Sequence, residues 1–150
     1  MGIYEINASE PVFVYINGLK HIFKGRVDLE DGNVKGILVS DDYVPNPMLD
    51  EFYEDIIGEI TAEGYSTGGE SVLDVNILPM IDDFMFKVDM KNLLFENVIG
   101  NFKYILIYYD KIVFDAKKPL IAGYFFEDEQ VSNGGLRFNF SPNGVFRIQL

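Results

Sequence analysis

Apolar residues in this chain recur mostly at every second position, in short runs broken by Asp, Asn, Gly or Pro, which is the period of strands rather than helices. From Val72 onward the runs "SVLDVNIL", "FMFKVDM", "NLLFENV", "FKYILIYYD", "PLIAGYFF", "LRFNF" and "VFRIQL" are rich in aromatic and β-branched side chains. The last two, joined by "SPNG", are predicted to pair as a hairpin. Two more hairpins are predicted near the start. "VFVYI-NG-LKHIF" turns at Asn17-Gly18, a dipeptide that tolerates positive φ, and pairing Ile16 with Leu19 sets Val14 opposite His21 and Val12 opposite Phe23. "RVDLE-DG-NVKGILVS" turns at Asp31-Gly32, with Val27 and Leu29 alternating with Asp28 and Glu30.

One segment breaks this period. In "NPMLDEFYEDIIG", Leu49, Phe52, Tyr53 and Ile56 follow three-and-four spacing, with Asp50, Glu51, Glu54 and Asp55 on the other side. Asn46 suits the N-cap, Pro47 the first turn and Gly58 the stop, so a short amphipathic helix is expected over residues 47–57. The expected fold is mainly β: one domain over residues 1–150, an antiparallel β-sandwich or partly closed barrel carrying that helix.

Composition narrows the function classes. The chain has 150 residues, 48% of them hydrophobic, with no cysteine and no tryptophan. Disulfide frameworks and thiolate zinc sites are thereby excluded. No leader and no membrane-spanning run is apparent at the N-terminus or beyond, so a soluble, unprocessed and unanchored chain is expected. The net charge of −12 comes from one block. Between Gly36 and Phe86 there is no base, while Asp41, Asp42, Asp50, Glu51, Glu54, Asp55, Glu59, Glu63, Glu70, Asp74, Asp82 and Asp83 all fall there. Such a block repels phosphate backbones and argues against nucleic acid as a partner. It reads either as a solvated acidic face or as a docking face for a basic partner or Ca²⁺.

Candidate chemistry is sparse. "GYSTGGE", with Gly64, Gly68 and Gly69 beside Ser66 and Thr67, has the look of a phosphate-cradling loop, yet Glu70 stands where a cation would help and a strand follows. A shaped turn with glycines at positive φ and Tyr65 as an aromatic pin fits the residues better. His21 is the sole histidine, so any Ser-His-Asp arrangement must use it, and a hydrogen-bonded strand histidine is the simpler expectation. Glycan binding would call on flat aromatic rings, for which Tyr104, Tyr108, Tyr109 and Tyr124 are candidates. No catalytic residue, cofactor or metal ligand is singled out.

A resemblance covers much of the chain. The order "GILVSDDYVPNP", "DEFYEDI", "EITAEGYSTGG", "FKYILIYYD", "PLIAGYFFEDEQVSNGG" and "FNFSPNGVFRI" resembles a family of small structural proteins of tailed bacteriophages, from about Arg26 to Leu150. The positions that carry it are Asp41, Tyr43, Pro45, Phe52, Gly64, Tyr65, Gly68, Gly69, Tyr108, Pro119, Leu120, Ile121, Gly134 and Gly144. The resemblance implies a non-enzymatic virion component, assembled in the host cytoplasm, either decorating the capsid or belonging to the neck or tail. Its implied partners are other virion proteins, capsid or tail subunits, with homo-oligomers or a symmetric array expected and no membrane. The interface candidates are Asp41, Tyr43, Pro45, Phe52, Gly64, Tyr65, Gly68 and Gly69, with Asp82 and Asp83 from the acidic block. Alternatives are a receptor- or glycan-binding module, which should expose several tyrosines on one face, and a small hydrolase, which should hold His21 or an isolated carboxylate in a cleft.

Overall fold

The computed structural model describes residues 2–8 and 13–149, and is mainly β with one short α-helix. A six-stranded sheet is built on two long antiparallel strands, β7 (Asn92–Tyr109) and β8 (Leu120–Asn139). β1 (Ile3–Asn7) runs parallel to the end of β8, and β2 (Phe13–Val14) pairs with its start. On the other side, β3 (Val34–Val39) lies against the second half of β7, followed by β4 (Glu70–Ser71). An extra residue between Phe95 and Val98 bulges β7, and between Phe125 and Gln130 the extra residues bulge β8. The chain after β4 then meets the first half of β7. The Leu73 N–H donates to the Asn92 carbonyl at 3.0 Å, Lys91 N–H to Leu73 at 2.9 Å, and Val72 bridges Leu93. The sheet thus returns on itself as a partly closed barrel. A smaller antiparallel sheet of β5 (Asn76–Met80), β6 (Met85–Asp89) and β9 (Phe146–Gln149) packs beside it.

The period-two pattern of β7 explains both cores. Ile105, Ile107 and Tyr109 point inward, where they join Leu93, Phe95, Leu136 and Phe138. Gly36 lies on the same face of β3, and a Cβ there would sit 2.4 Å from the Leu93 side chain, so a bare backbone lets the barrel close. Tyr104, Leu106 and Tyr108 point outward and are buried too, with Ile37, Val39 and Leu120. The cover is the chain's own: Phe13 and Tyr15, which lead into helix α1 (Ile16–Phe23), and Tyr43, Tyr53 and Ile56 of a strap of residues 40–69 lie on that outer face, while Ile22 of α1 and Ile60, Ala62 and Tyr65 of the strap reach the inner core.

Four expected elements take other forms. The hairpin at Asn17-Gly18 is instead α1, the helix of the fold; its expected partner Val12 lies outside the described residues. β8 accepts only Phe13 and Val14 as strand, and Gly18 then comes so near β8 that a Cβ would lie 2.0 Å from the Leu120 carbonyl oxygen. Residues 47–57 form no α-helix. They give turns and a single 3₁₀ turn, Tyr53–Asp55, because their backbone is claimed elsewhere: Leu120 N–H donates to the Glu51 carbonyl at 2.9 Å and Tyr53 N–H to Lys118 at 2.7 Å. The hairpin at Asp31-Gly32 is also absent, since both edges of β3 are taken by β4 and β7; Val27 and Leu29 still enter the core. Finally, β9 pairs with β6 rather than with "LRFNF", whose two edges are occupied by β1 and β7.

Candidate interaction surface

The strap carries most of the predicted site residues. Tyr43 is buried, and its hydroxyl donates to Asp50 Oδ2 at 2.6 Å while accepting from Tyr15 at 2.8 Å. Asp50 Oδ2 also takes the Asn46 N–H at 2.9 Å. Burial first, then the carboxylate beside it, pushes the Tyr43 hydroxyl well above the ordinary tyrosine range, and burial does the same for Tyr15. Asp41 is exposed, Pro45 half-buried, and Phe52 buried against the His21 ring at 5.6 Å and the Phe114 ring at 6.5 Å. Tyr43 and Phe52 hold the strap down, whereas Asp41 and Pro45 only lie on it, and the four do not converge on a cleft.

Glu59 organises the glycine-rich turn. Its Oε1 accepts from the Tyr53 hydroxyl and its Oε2 from Tyr65 at 2.6 Å and from the Gly68 N–H at 2.8 Å. The Gly68 carbonyl accepts from Tyr108 at 2.6 Å, and Gly69 N–H donates to the Ser66 carbonyl at 2.9 Å. The Gly68 and Gly69 amides are therefore already bonded, to Glu59 and to Ser66, and are not free to cradle a phosphate. Gly64, Gly68 and Gly69 all have positive φ, at 80°, 96° and 73°. Tyr65 stacks on Phe95 at 5.8 Å, so it is the pin that the residues suggested.

His21 sits in α1, not in a strand, and is fully buried. Arg26 Nη1 lies 3.2 Å from Nδ1; a guanidinium only donates, so Nδ1 accepts and Nε2–H donates to Glu51 Oε2 at 2.7 Å. Glu51 also takes Lys20 at 3.2 Å. Burial would raise the Glu51 carboxyl, but the hydrogen bonds from His21 and Lys20 outweigh it and hold it down. The arrangement fastens α1 to the strap. Tyr104, Tyr108, Tyr109 and Tyr124 are likewise buried, so these four form no exposed platform.

Apart from Asp42, which is exposed and accepts from the Ser40 hydroxyl at 3.3 Å, the acidic block separates into two sets. Asp50, Glu51, Glu54, Asp55 and Glu59 are absorbed in the strap: Glu54 accepts from the Lys118 N–H at 2.8 Å, and Asp55 pairs with Lys117 at 3.1 Å. Asp41, Glu63, Glu70, Asp74, Asp82 and Asp83 are exposed, and their carboxylates have no ion-pair or hydrogen-bond partner among the described residues. Asp82 and Asp83 stand apart from the strap, in the 3₁₀ turn Ile81–Asp83 at the tip of the β5–β6 hairpin. Sequence reading missed the apolar residues flanking them, although "IDDF" shows Ile81 and Phe84 in a turn with no strand to bury them. It missed Glu51 and Glu59 as anchors too, since nothing local tells a bonded acid from a solvated one.

Among the described residues, no group of three or more histidine or acidic side chains is gathered as a metal would require, and no helix is long and apolar enough to cross a membrane. The fold and surface define a mainly β protein whose partly closed barrel is overlaid by an acidic strap. Compared with protein-family models, with curated proteins and with solved structures, the chain matches none.

Proposed function

We propose that this chain is a non-enzymatic structural subunit of a tailed-bacteriophage particle, a capsid decoration or neck or tail accessory that acts through contacts with other virion proteins. The observation that carries the reading is the pairing of unneutralised acids with exposed apolar side chains, most clearly in "IDDF". The order of short motifs from Arg26 to Leu150 supplies the particle context. The groups best suited to chemistry support it as well: His21, Glu51 and Glu59 are each engaged in bonds that hold the strap and helix in place. The test is quantitative mass spectrometry of purified particles from the encoding phage, followed by localisation with a tagged chain. A fixed copy number on capsid, neck or tail is expected. Absence from particles, with the chain abundant in the soluble fraction of infected cells, would overturn the proposal.

A further inference from the structure

The apolar face of the small sheet extends past the core that roots it. Val88 is buried in the barrel core and Phe146 packs on it, while Phe86 and Pro79, on the same face by register, are exposed further along. Beyond them the turn presents Ile81 at 82% and Phe84 at 70% exposure, lining a shallow hollow of about 230 Å³ with Met80 and Met85. Phe84 is held at φ 52°, in the left-handed region that bulky residues rarely occupy. Between these two apolar residues stand Asp82 and Asp83, with no cationic partner among the described residues.

A second surface of the chain matches this one in kind and opposite charge. At the end of α1, Phe23 is 68% exposed, and in the loop joining β7 to β8, Ile112 and Phe114 are 66% and 52% exposed. The Arg26 guanidinium lies 5.2 Å from the Phe114 ring centre, which places the end of α1 and this loop side by side. Lys24 and Arg26 are cations with no carboxylate partner among the described residues, unlike Lys20, Lys111, Lys117 and Lys118, which pair with acids. The hairpin tip thus offers two apolar side chains and two free anions, and the α1 surface offers apolar side chains, the free cation Lys24 and the Arg26 charge, bonded to His21 but to no carboxylate, against the single exposed acid Asp115 beside Phe114.

We infer that copies of this chain associate head to tail, with the Ile81–Phe84 tip of one copy seated on the Phe23, Lys24, Arg26 and Phe114 surface of the next. Contact between two tips would bring four carboxylates together, and an anionic lipid surface would meet the same repulsion. Because the two patches differ, a contact made in one direction continues into a chain of copies or closes as a ring, and one that is reciprocated between two copies closes as a two-fold dimer. The inference deepens the reading of a contact subunit, but its test uses the purified chain alone and does not depend on particles.

Sedimentation velocity over a wide concentration range should show wild-type mass rising above that of the monomer. Phe84→Ser should abolish this while leaving the thermal melt of the monomer in place. Asp82→Lys with Asp83→Lys, and separately Lys24→Glu with Arg26→Glu, should each weaken association by about tenfold or more, because each turns attraction into repulsion. Mixing the two charge-reversed proteins should restore it, since each reversed patch then meets its complement. Lys24→Glu alone, which keeps Arg26 on Phe114, should show a smaller loss and guards against misfolding of the double variant. A wild-type monomer up to millimolar concentration, association indifferent to Phe84→Ser, or failure of the mixture to recover would each overturn the inference. So would binding to neutral phosphatidylcholine vesicles that depends on Phe84 in a chain that does not self-associate.

Discussion

Single residues in this fold are held by backbone space as often as by side-chain contact. A Cβ on Gly69 would lie 1.8 Å from the Gly36 carbonyl oxygen, and one on Gly64 1.5 Å from that of Asn97, and both residues are at positive φ. Gly69→Ala should therefore cost about 2 kcal/mol or more in urea unfolding, whereas the exposed Ser66→Ala and Thr67→Ala should stay within about 0.5 kcal/mol. Tyr124 supplies the opposite case. Its hydroxyl is buried near Phe138 and Phe140 with no hydrogen-bond partner among the described residues. Tyr124→Phe should leave stability unchanged or raise it by up to about 1 kcal/mol, since it removes an unsatisfied polar group. Asp31 gives a pH dependence. Burial would raise its carboxyl, but hydrogen bonds from Tyr109, Asn33 and Lys111 prevail and hold it at about 2 against an ordinary 3.8. Its contribution is complete above the ordinary value and is lost as pH falls from about 4 through about 2. Thermal melts across that window should show a shallower acid limb for Asp31→Asn than for wild type.

At the scale of elements, the strap and α1 act as one cover, and their anchors are few. Gly18 is the point at which α1 meets β8, so Gly18→Val should lift the helix and draw Tyr15 from the outer core and Ile22 from the inner one. The expected result is a loss of about 3 kcal/mol or more, from steric overlap with backbone together with surface returned to water. Hydrogen exchange should show protection lost in residues 15–23 and 47–53 together, because Ile16 N–H donates to Pro47 and His21 bonds Glu51. Loss confined to the helix would contradict a shared cover. The helix itself could have been noticed in the sequence. Ile16, Leu19, Ile22 and Phe23 have three-and-four spacing, and Gly25, at φ 72°, marks the stop. Asn17-Gly18 outweighed those signals as a local turn, and only the approach of β8 reverses the preference.

For the whole molecule, the charge of −12 is less uniform in effect than in sequence. Acids bonded within the strap stabilise it, and those outside only repel one another. Asp82→Asn with Asp83→Asn should leave unfolding free energy within about 0.5 kcal/mol of wild type, as expected for exposed and unpaired groups. Glu51→Gln should cost about 1–3 kcal/mol, because it weakens the bond to a buried histidine and breaks the pair with Lys20. Equal effects from the two changes, measured by urea unfolding, would refute the division of the block. A strand with apolar side chains on both faces leaves one of them bare unless a second layer packs on it. In "FKYILIYYD" both faces are buried by the chain's own barrel core and strap, and the uncovered apolar surface lies at the β5–β6 tip and beside the end of α1.

The sequence by itself determined the mainly β character, the barrel or sandwich class and the positive φ of the glycines in the "GYSTGG" turn. Each follows from residue type and period within a few positions. Tertiary structure decided the rest: α1 in place of a hairpin, an extended strap in place of a helix, β6 as the partner of β9, and which acids are neutralised. Every one of these depends on which strand edges and carbonyls were already occupied. The Glu51 carbonyl bonds Leu120, and the edges of β3 and β8 are filled by segments far away in the chain. A short segment's pattern states what it can bury, while competition for hydrogen-bond partners across the whole chain settles the form in which it does so.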